Sequence, residues 1–371
     1  MTQSPSDSPL FTPIKIGGME IPNRFVRSAT AEFMADEDGF VTDRLVGLFH
    51  DLAEGEVGLI ITGHAFIRPD GKAGPFQTAV YDDRFLPGLK RISSTVHAFP
   101  SRIFLQLAHA GRQTKVKLVG GEPISPSAVF EPTFKLTPRE VTPVEIESLK
   151  NDFIQAARRA REAGFDGVQI HCAHGYLLGS FLSPHTNRRT DDWGGSTAKR
   201  ARIVLEIIAG IKAICGSLFP VIAKLNSEDF LASGLQVEES LEIAGLLQGA
   251  GLDGLEISGG MTEAGKGSIW LGVRPEEEEG YFVDAAARFK KVLRIPVFGL
   301  GGNRTFARME AIIRDGRADL VSLSRPFIRE PRLVRDFRLG RIKKSSCISC
   351  SKCLNPRGIT CGELKVQSRK G

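Results

Sequence analysis

No apolar run in this 371-residue sequence approaches the roughly 20 residues needed to cross a bilayer. That lack removes helical membrane channels and carriers from consideration. The opening residues, MTQSPSDSPLF, lack the basic and apolar regions of a secretory signal, so a cytoplasmic location is expected. Charge of one sign is also in short supply: 49 Lys and Arg against 43 Asp and Glu leave a formal net charge of only +6. The basic residues are scattered, densest between Phe327 and Lys344. That distribution suits a solvated face, or attraction for phosphorylated small molecules, better than a nucleic-acid groove. Cysteine is scarce over most of the chain. Cys172 and Cys215 stand alone, whereas Cys347, Cys350, Cys353 and Cys361 crowd the C-terminus. In a cytosolic chain such crowding points to a metal before a disulfide.

What is present is an ordinary globular composition, 42% hydrophobic and 25% charged, with enough apolar residues for a large core. One theme recurs: the end of an amphipathic helix, a glycine turn, then a short apolar run. It occurs as EGEVGLIITG from Glu54, REAGFDGVQIH from Arg161, QGAGLDGLEISGG from Gln248 and RDGRADLVSLSR from Arg314. The runs are apolar on both alternating faces, which marks strands of a parallel sheet covered by helices. RFVRSAT from Arg24, RIFLQLAH from Arg102, PVIAKLN from Pro220 and PVFGLGG from Pro296 bring the total to about eight, the number that closes a TIM (β/α)8 barrel. Helix punctuation agrees. Thr142 and Glu145 form a capping box around Pro143, and Leu149, Phe153, Ala157 and Ala160 follow at helical spacing until Gly164. After Ser196, Ile203, Ile207, Ile208 and Ile211 trace a second stripe. The expected organisation is a barrel over residues 1–340 and a short cysteine-containing tail over 341–371.

Two connections are too long for simple turns. Residues 110–143, after the third strand, are rich in Gly, Pro, Lys and Thr and read as a lid-like excursion with its own short strands. The other follows the fourth strand: IHCAHGYLLGSFLSPHTNRRTDDWGGS, from Ile170 to Ser196. Sites in such barrels form at the carboxyl ends of strands, so His171, His174 and Tyr176 fall where side chains converge on a ligand. On residue types alone three readings compete. The two histidines are zinc ligands awaiting partners, or satisfied polar groups at a strand end, or donors gripping a developing negative charge with Tyr176 as proton source beside them.

The wider segment resembles the old yellow enzyme family of flavin-dependent ene-reductases. The resemblance rests on His171, His174, Gly175, Tyr176 and Leu177, then Phe181, Leu182, Ser183 and Pro184, then Asn187, Arg189 and Asp191, then Trp193, Gly194, Gly195 and Ser196. It extends from NRFVRSAT through LVSLSRPF. It implies a barrel bearing FMN, reduced by NADH or NADPH, that passes hydride to the activated C=C bond of a small-molecule enone. His171 and His174 would then hold the substrate carbonyl and Tyr176 would protonate the α-carbon. Around the flavin the resemblance assigns Ser28, Ala29 and Thr30 to the ring, Gln106 to its pyrimidine edge, His64 to a backbone contact and Lys224 to the N1/O2 position. Most members have arginine in place of Lys224, so charge is kept while a bidentate fork is lost. A plain ion pair with Glu256 or Asp229 is the simpler account of that lysine. Gly301 and Gly302 let backbone N–H groups approach a phosphate, with Ser324 and Arg325 adding a hydroxyl and a cation.

Three features depart from the family pattern. Ala31 stands where many members carry Thr or Cys, Trp193 replaces a tyrosine in what reads as a packing position, and the loop from Met261 to Tyr281 matches no nameable substrate. The tail, C-x2-C-x2-C-x7-C over Cys347, Cys350, Cys353 and Cys361, could hold zinc or a [4Fe-4S] cluster. Larger relatives such as 2,4-dienoyl-CoA reductase carry a cluster on a differently spaced set, so an enzyme of that kind is one alternative. A basic zinc-binding protein that contacts nucleic acid is the alternative from another class. Phe327, Phe337 and the tail are candidate subunit contacts for a homo-oligomer; no membrane partner is expected.

Overall fold

The computed structural model describes residues 4–367 apart from Lys266, Ser268 and Arg274, so the last four residues of the expected tail lie outside the described residues. Eight parallel strands form the central ring: β1 (Phe25–Arg27), β2 (Leu59–Ile61), β3 (Arg102–Ala108), β4 (Gly167–Cys172), β5 (Val221–Asn226), β6 (Gly254–Ser258), β7 (Val297–Gly299) and β8 (Leu320–Leu323). Each pairs with its neighbour in sequence, and β8 pairs with β1, so the sheet closes on itself. The expected TIM barrel is what the chain builds. A two-residue strand, Ala65–Phe66, adds to the upper end of β3.

Helices α1 (Asp43–Glu54), α2 (Leu86–His97), α3 (Pro143–Glu162), α4 (Thr197–Cys215), α5 (Val237–Gly249), α6 (Val283–Val292), α7 (Phe306–Arg314) and α8 (Leu333–Arg338) follow the strands in turn. Because helices cover the outer face and the barrel interior covers the inner one, every residue of β4, β5 and β6 is buried. α3 starts at the capping box read from the sequence: Thr142 accepts from Glu145 N while Glu145 returns the bond to Thr142 N. Thr142→Ala should lower stability by about 1 kcal/mol, read as an earlier urea midpoint at unchanged slope.

The inner face of the barrel has two characters, and their order positions the site. At the amino-terminal end, the hairpin Ile14–Ile16 and Met19–Ile21 plugs the ring. Its Ile16 and Ile21 pack with Val26, Leu59, Ile61, Phe104, Ile222, Phe298 and Leu320 in a core separate from the larger one under the helices. Side chains two residues apart share a strand face. Two residues further along four of these strands stand Ser28, Gln106, Lys224 and Ser322, all buried. The barrel is therefore oily below and polar above.

Residues 110–143 do carry short strands, Ile124–Ser125 paired with Arg139–Glu140. The tail does not hang free: Arg304 Nη1 donates to Cys347 O and Arg325 Nη1 to Ser349 O, so it lies across the carboxyl end of the barrel. The expected subunit contact needs correcting. Phe327 and Phe337 are each 1% exposed, and Phe337 packs against Phe25 and Phe306 of its own chain. Their apolar surface is consumed internally. Trp193 is buried between the cations of Lys150 and Arg202, in the packing role expected of it. No helix among the described residues is long and apolar enough to cross a membrane.

Candidate active site

At the upper end of β4 the chain reverses abruptly. His174 adopts a left-handed backbone, φ 62°, and Gly175 follows at φ 79°. A non-glycine residue rarely holds this conformation, and it is fixed here by the bond from His174 N to Asn226 Oδ1 at 3.2 Å. The reversal folds Tyr176 back over the strand end. As a result the His171 ring lies 5.3 Å from that of His174 and 4.7 Å from that of Tyr176, and His64 lies 5.3 Å from Tyr176.

All four rings line one cavity of about 380 Å³ at the carboxyl mouth of the barrel, the size range of small-molecule sites. Burial pushes Tyr176 up to about 12, so its phenol keeps its proton. Burial, then the Lys224 charge, pushes His64 down to about 4 and His174 down to about 3. Burial, then the proximity of His174, His64 and Lys224, likewise holds His171 well below the usual histidine range. The imidazoles are neutral at pH 7. His174 Nε2 shares a hydrogen bond with Ser258 Oγ at 2.7 Å, while His171 Nδ1 is buried without a partner.

The other residues singled out from the sequence mostly meet here. Ser28, Ala29, Thr30, Gln106, Lys224, Gly302, Ser324 and Arg325 all line the same cavity. Lys224 makes the ion pair with Glu256, Nζ lying 3.1 Å from Oε2 and donating to Ser28 Oγ at 2.9 Å, and it also lines the cavity. Asp229 is not its partner, being bound to Asn226. His64 lines the cavity too, and its carbonyl accepts from Gln77 Nε2 at 2.8 Å. Gly301 does not form the wall; it stands behind, where a Cβ would come 2.8 Å from Tyr281 N.

Several wall residues were not picked out from the sequence: Ser258, Tyr281 and Arg304 among them. Ser258 ends β6 and was open to the same strand-end argument that found His171. Tyr281 and Arg304 come from loops whose course no local pattern reveals. Once they are included, a simple electrostatic feature emerges. Among the described residues Lys224, Arg304 and Arg325 line the cavity and no carboxylate does. Such a chamber suits an anion.

A closed parallel barrel with a polar, cationic cavity at the carboxyl ends of its strands defines the class of (β/α)8 enzymes. Within that class, residues 9–344 match the sequence model of the NADH:flavin oxidoreductase / NADH oxidase family, and the chain belongs to that family, the old yellow enzymes. The NADH oxidase of Thermoanaerobacter brockii is 39% identical over the full chain, which spans 58% of that protein's length. A solved 2-naphthoyl-CoA reductase complex superposes with a TM-score of 0.87 at 30% identity, covering 94% of this chain and 54% of that one. The old yellow enzyme homologue of Zymomonas mobilis superposes with a TM-score of 0.80 at 25% identity, covering 95% and 97%.

The residues present fit the FMN that this family implies. The cavity offers a buried amide at Gln106 and an ammonium at Lys224 for a polar ring edge, and Ser324 and Arg325 beside Gly302 for a phosphate. His171 lines the same cavity, and its Nδ1 is a buried polar atom without a hydrogen-bond partner.

Proposed function

We propose that the protein holds FMN in this cavity and uses NADH or NADPH to reduce the activated C=C bond of α,β-unsaturated carbonyl compounds. The observation that carries this reading is the grouping of His171, His174 and Tyr176 in the one cavity that also contains Gln106 and Lys224. FMN, when bound, would supply hydride, one proton with two electrons, taken from the nicotinamide and delivered to the β-carbon of the alkene. The rest is the work of side chains. His171 and His174, as neutral imidazoles, donate hydrogen bonds to the substrate carbonyl and stabilise the negative charge that grows there. Tyr176 holds its proton at Oη and releases it to the α-carbon, so that C=C becomes C–C with one hydrogen on each carbon. Lys224, opposite His171 across β4 and β5, stabilises negative charge beside it. Phe33 and Ile269 give the wall its apolar share.

The test is spectroscopic. The purified protein should be yellow, bleach under NADPH or NADH without air, and regain its colour on adding cyclohexenone. Absorbance unmoved by both nicotinamides would sink the mechanism.

A second reading, an enzyme like 2,4-dienoyl-CoA reductase with a cluster on its tail, is favoured by the geometry of the cysteines. Cys347, Cys350, Cys353 and Cys361 surround a small cavity together with Arg325 and Arg329. A tetrahedral zinc site sets its sulfurs roughly 3.8 Å apart, from Zn–S bonds of about 2.3 Å. Here no three of the four sulfurs come within 4.8 Å of one another, a ring more open than zinc draws together. Ser349 and Ser351 hold left-handed backbone, φ 55° and 56°, on either side of Cys350. Backbone of this kind recurs where amides curl around phosphates and iron–sulfur centres. Arg329 Nη1 donates to Cys361 Sγ at 3.3 Å. Protein purified without air should contain about four iron atoms and as many labile sulfides per chain; a single zinc in their place would reject the cluster.

A further inference from the structure

Behind Gln106 and Lys224 runs a second row of polar groups that does not reach the cavity wall. Gln106 Nε2 donates to Gln169 Oε1 at 2.7 Å, and Gln169 Nε2 donates to Glu256 Oε2 at 3.0 Å. The same carboxylate oxygen lies 3.1 Å from Lys224 Nζ. Gln169 and Glu256 are both fully buried, and neither lines the cavity. Backbone register holds the row together: Gln106 stands opposite Gln169 across β3 and β4, and Lys224 opposite Glu256 across β5 and β6.

A primary amide presents an acceptor on one side and donors on the other, and two amides in a row can both be turned round without losing the bond between them. An ionised carboxylate removes that freedom because it only accepts. Glu256 obliges Gln169 to turn Nε2 toward it. Gln169 then offers Oε1 to Gln106, which must turn its own Nε2 inward and keep Oε1 as its acceptor for the cavity. At the other end the carboxylate offsets the one charge placed at the polar edge of the ring site.

We propose that Glu256 is a positioning residue for the flavin: through Gln169 it fixes which atom Gln106 presents to the ring, and through Lys224 it limits how strongly the site favours the reduced, negatively charged form. The inference rests on the FMN reading above and adds to it a residue that touches neither cofactor nor substrate. Burial opposes ionisation of Glu256, but the Lys224 charge and the neighbouring hydroxyls and amide outweigh it and keep the carboxyl below its ordinary value. The group is therefore an anion when the site is at work.

The two actions separate experimentally. FMN is titrated into apoprotein of the wild type, Glu256→Gln, Gln169→Met and the double variant Lys224→Met/Glu256→Gln, and the midpoint potential of each loaded protein is measured by dye equilibration. Glu256→Gln should bind reduced over oxidised flavin about tenfold more strongly than wild type, a rise of about 30 mV for a two-electron couple. Gln169→Met should weaken FMN binding about tenfold with little change in potential. In the double variant the rise should vanish, because the charge it exposes is gone. A folded Glu256→Gln protein with the wild-type potential overturns the proposal, as does a rise that survives in the double variant. Should Glu256→Gln fail to fold, Gln169→Met decides: wild-type affinity for FMN there rejects the relay. Wild-type protein that takes up no FMN rejects the proposed function first, whereas normal uptake with unmoved variants rejects only this inference.

Discussion

His171→Ala should slow alkene reduction by about 10²- to 10³-fold while the protein's flavin is reduced by NAD(P)H at close to the wild-type rate. The size follows from what the imidazole does. On the proposed function it is a donor in a buried cavity, its ring close to those of His174 and Tyr176, and so meets developing charge without reorganising. Its loss removes an interaction that strengthens as the carbonyl oxygen gains charge, and such losses fall on the chemical step more than on binding. The pH profile should carry a second signature. Burial lowers the values of His64, His171 and His174, so the rings stay neutral as pH falls through the ordinary histidine range near 6.5. Rapid-reaction measurement of alkene reduction should therefore show no inflection there; a loss of rate near pH 6.5 would mean that a charged, solvated histidine is at work instead.

The histidines were legible because strand-end position and residue type coincide in one continuous segment, His171 to Tyr176. The barrel was legible for a related reason: its strands are short apolar runs after glycine turns, and a parallel sheet covered on both faces leaves that mark in the sequence. The polar floor was only half visible. Gln106 and Lys224 came from the family resemblance and Glu256 was an expected partner of the lysine, but the link from Gln106 through Gln169 depends on register between strands 63 residues apart, which no local pattern records. Arg304 was missed because its meaning comes from company: it joins Lys224 and Arg325 only when the loops after β7 and β8 converge. Phe327 and Phe337 went the other way. Late in the chain and apolar, they suggested a surface contact, but burial against Phe25 and Phe306 depends on ring closure between the last strand and the first.

The same closure explains why the cysteine tail bears on the cavity at all. Arg325 follows β8, and its Nη1 donates to Trp270 O, to Ser349 O and to Ser351 Oγ. One guanidinium therefore ties the loop after β6 to the segment between Cys347 and Cys353. Ser349 and Leu354 reach the cavity wall. The thiols are thus structurally continuous with the cavity rather than an appendage to it.

Tyr176→Phe should leave reduction by NAD(P)H unchanged and slow the return of oxidised colour with cyclohexenone by about 10²- to 10⁴-fold, the range for loss of a positioned general acid. The separation between the two half-reactions is the point. Nicotinamide delivers hydride without needing a proton from the protein, whereas alkene reduction leaves a carbanion-like α-carbon that must be quenched. Tyr176 suits the task because burial pushes its phenol up to about 12, so the proton is present at every working pH and leaves only for a strongly basic carbon. Neutral His64 and His171 flank the ring, and neither is an imidazolium that would compete with it as an acid. The substitution removes one oxygen and leaves the ring packing intact, so misfolding is not the expected cause of a loss. If deuterium from solvent still entered the α-carbon at the wild-type rate in Tyr176→Phe, the proton would have to come from water reaching the cavity, and Tyr176 would be a wall of the site and no longer its acid.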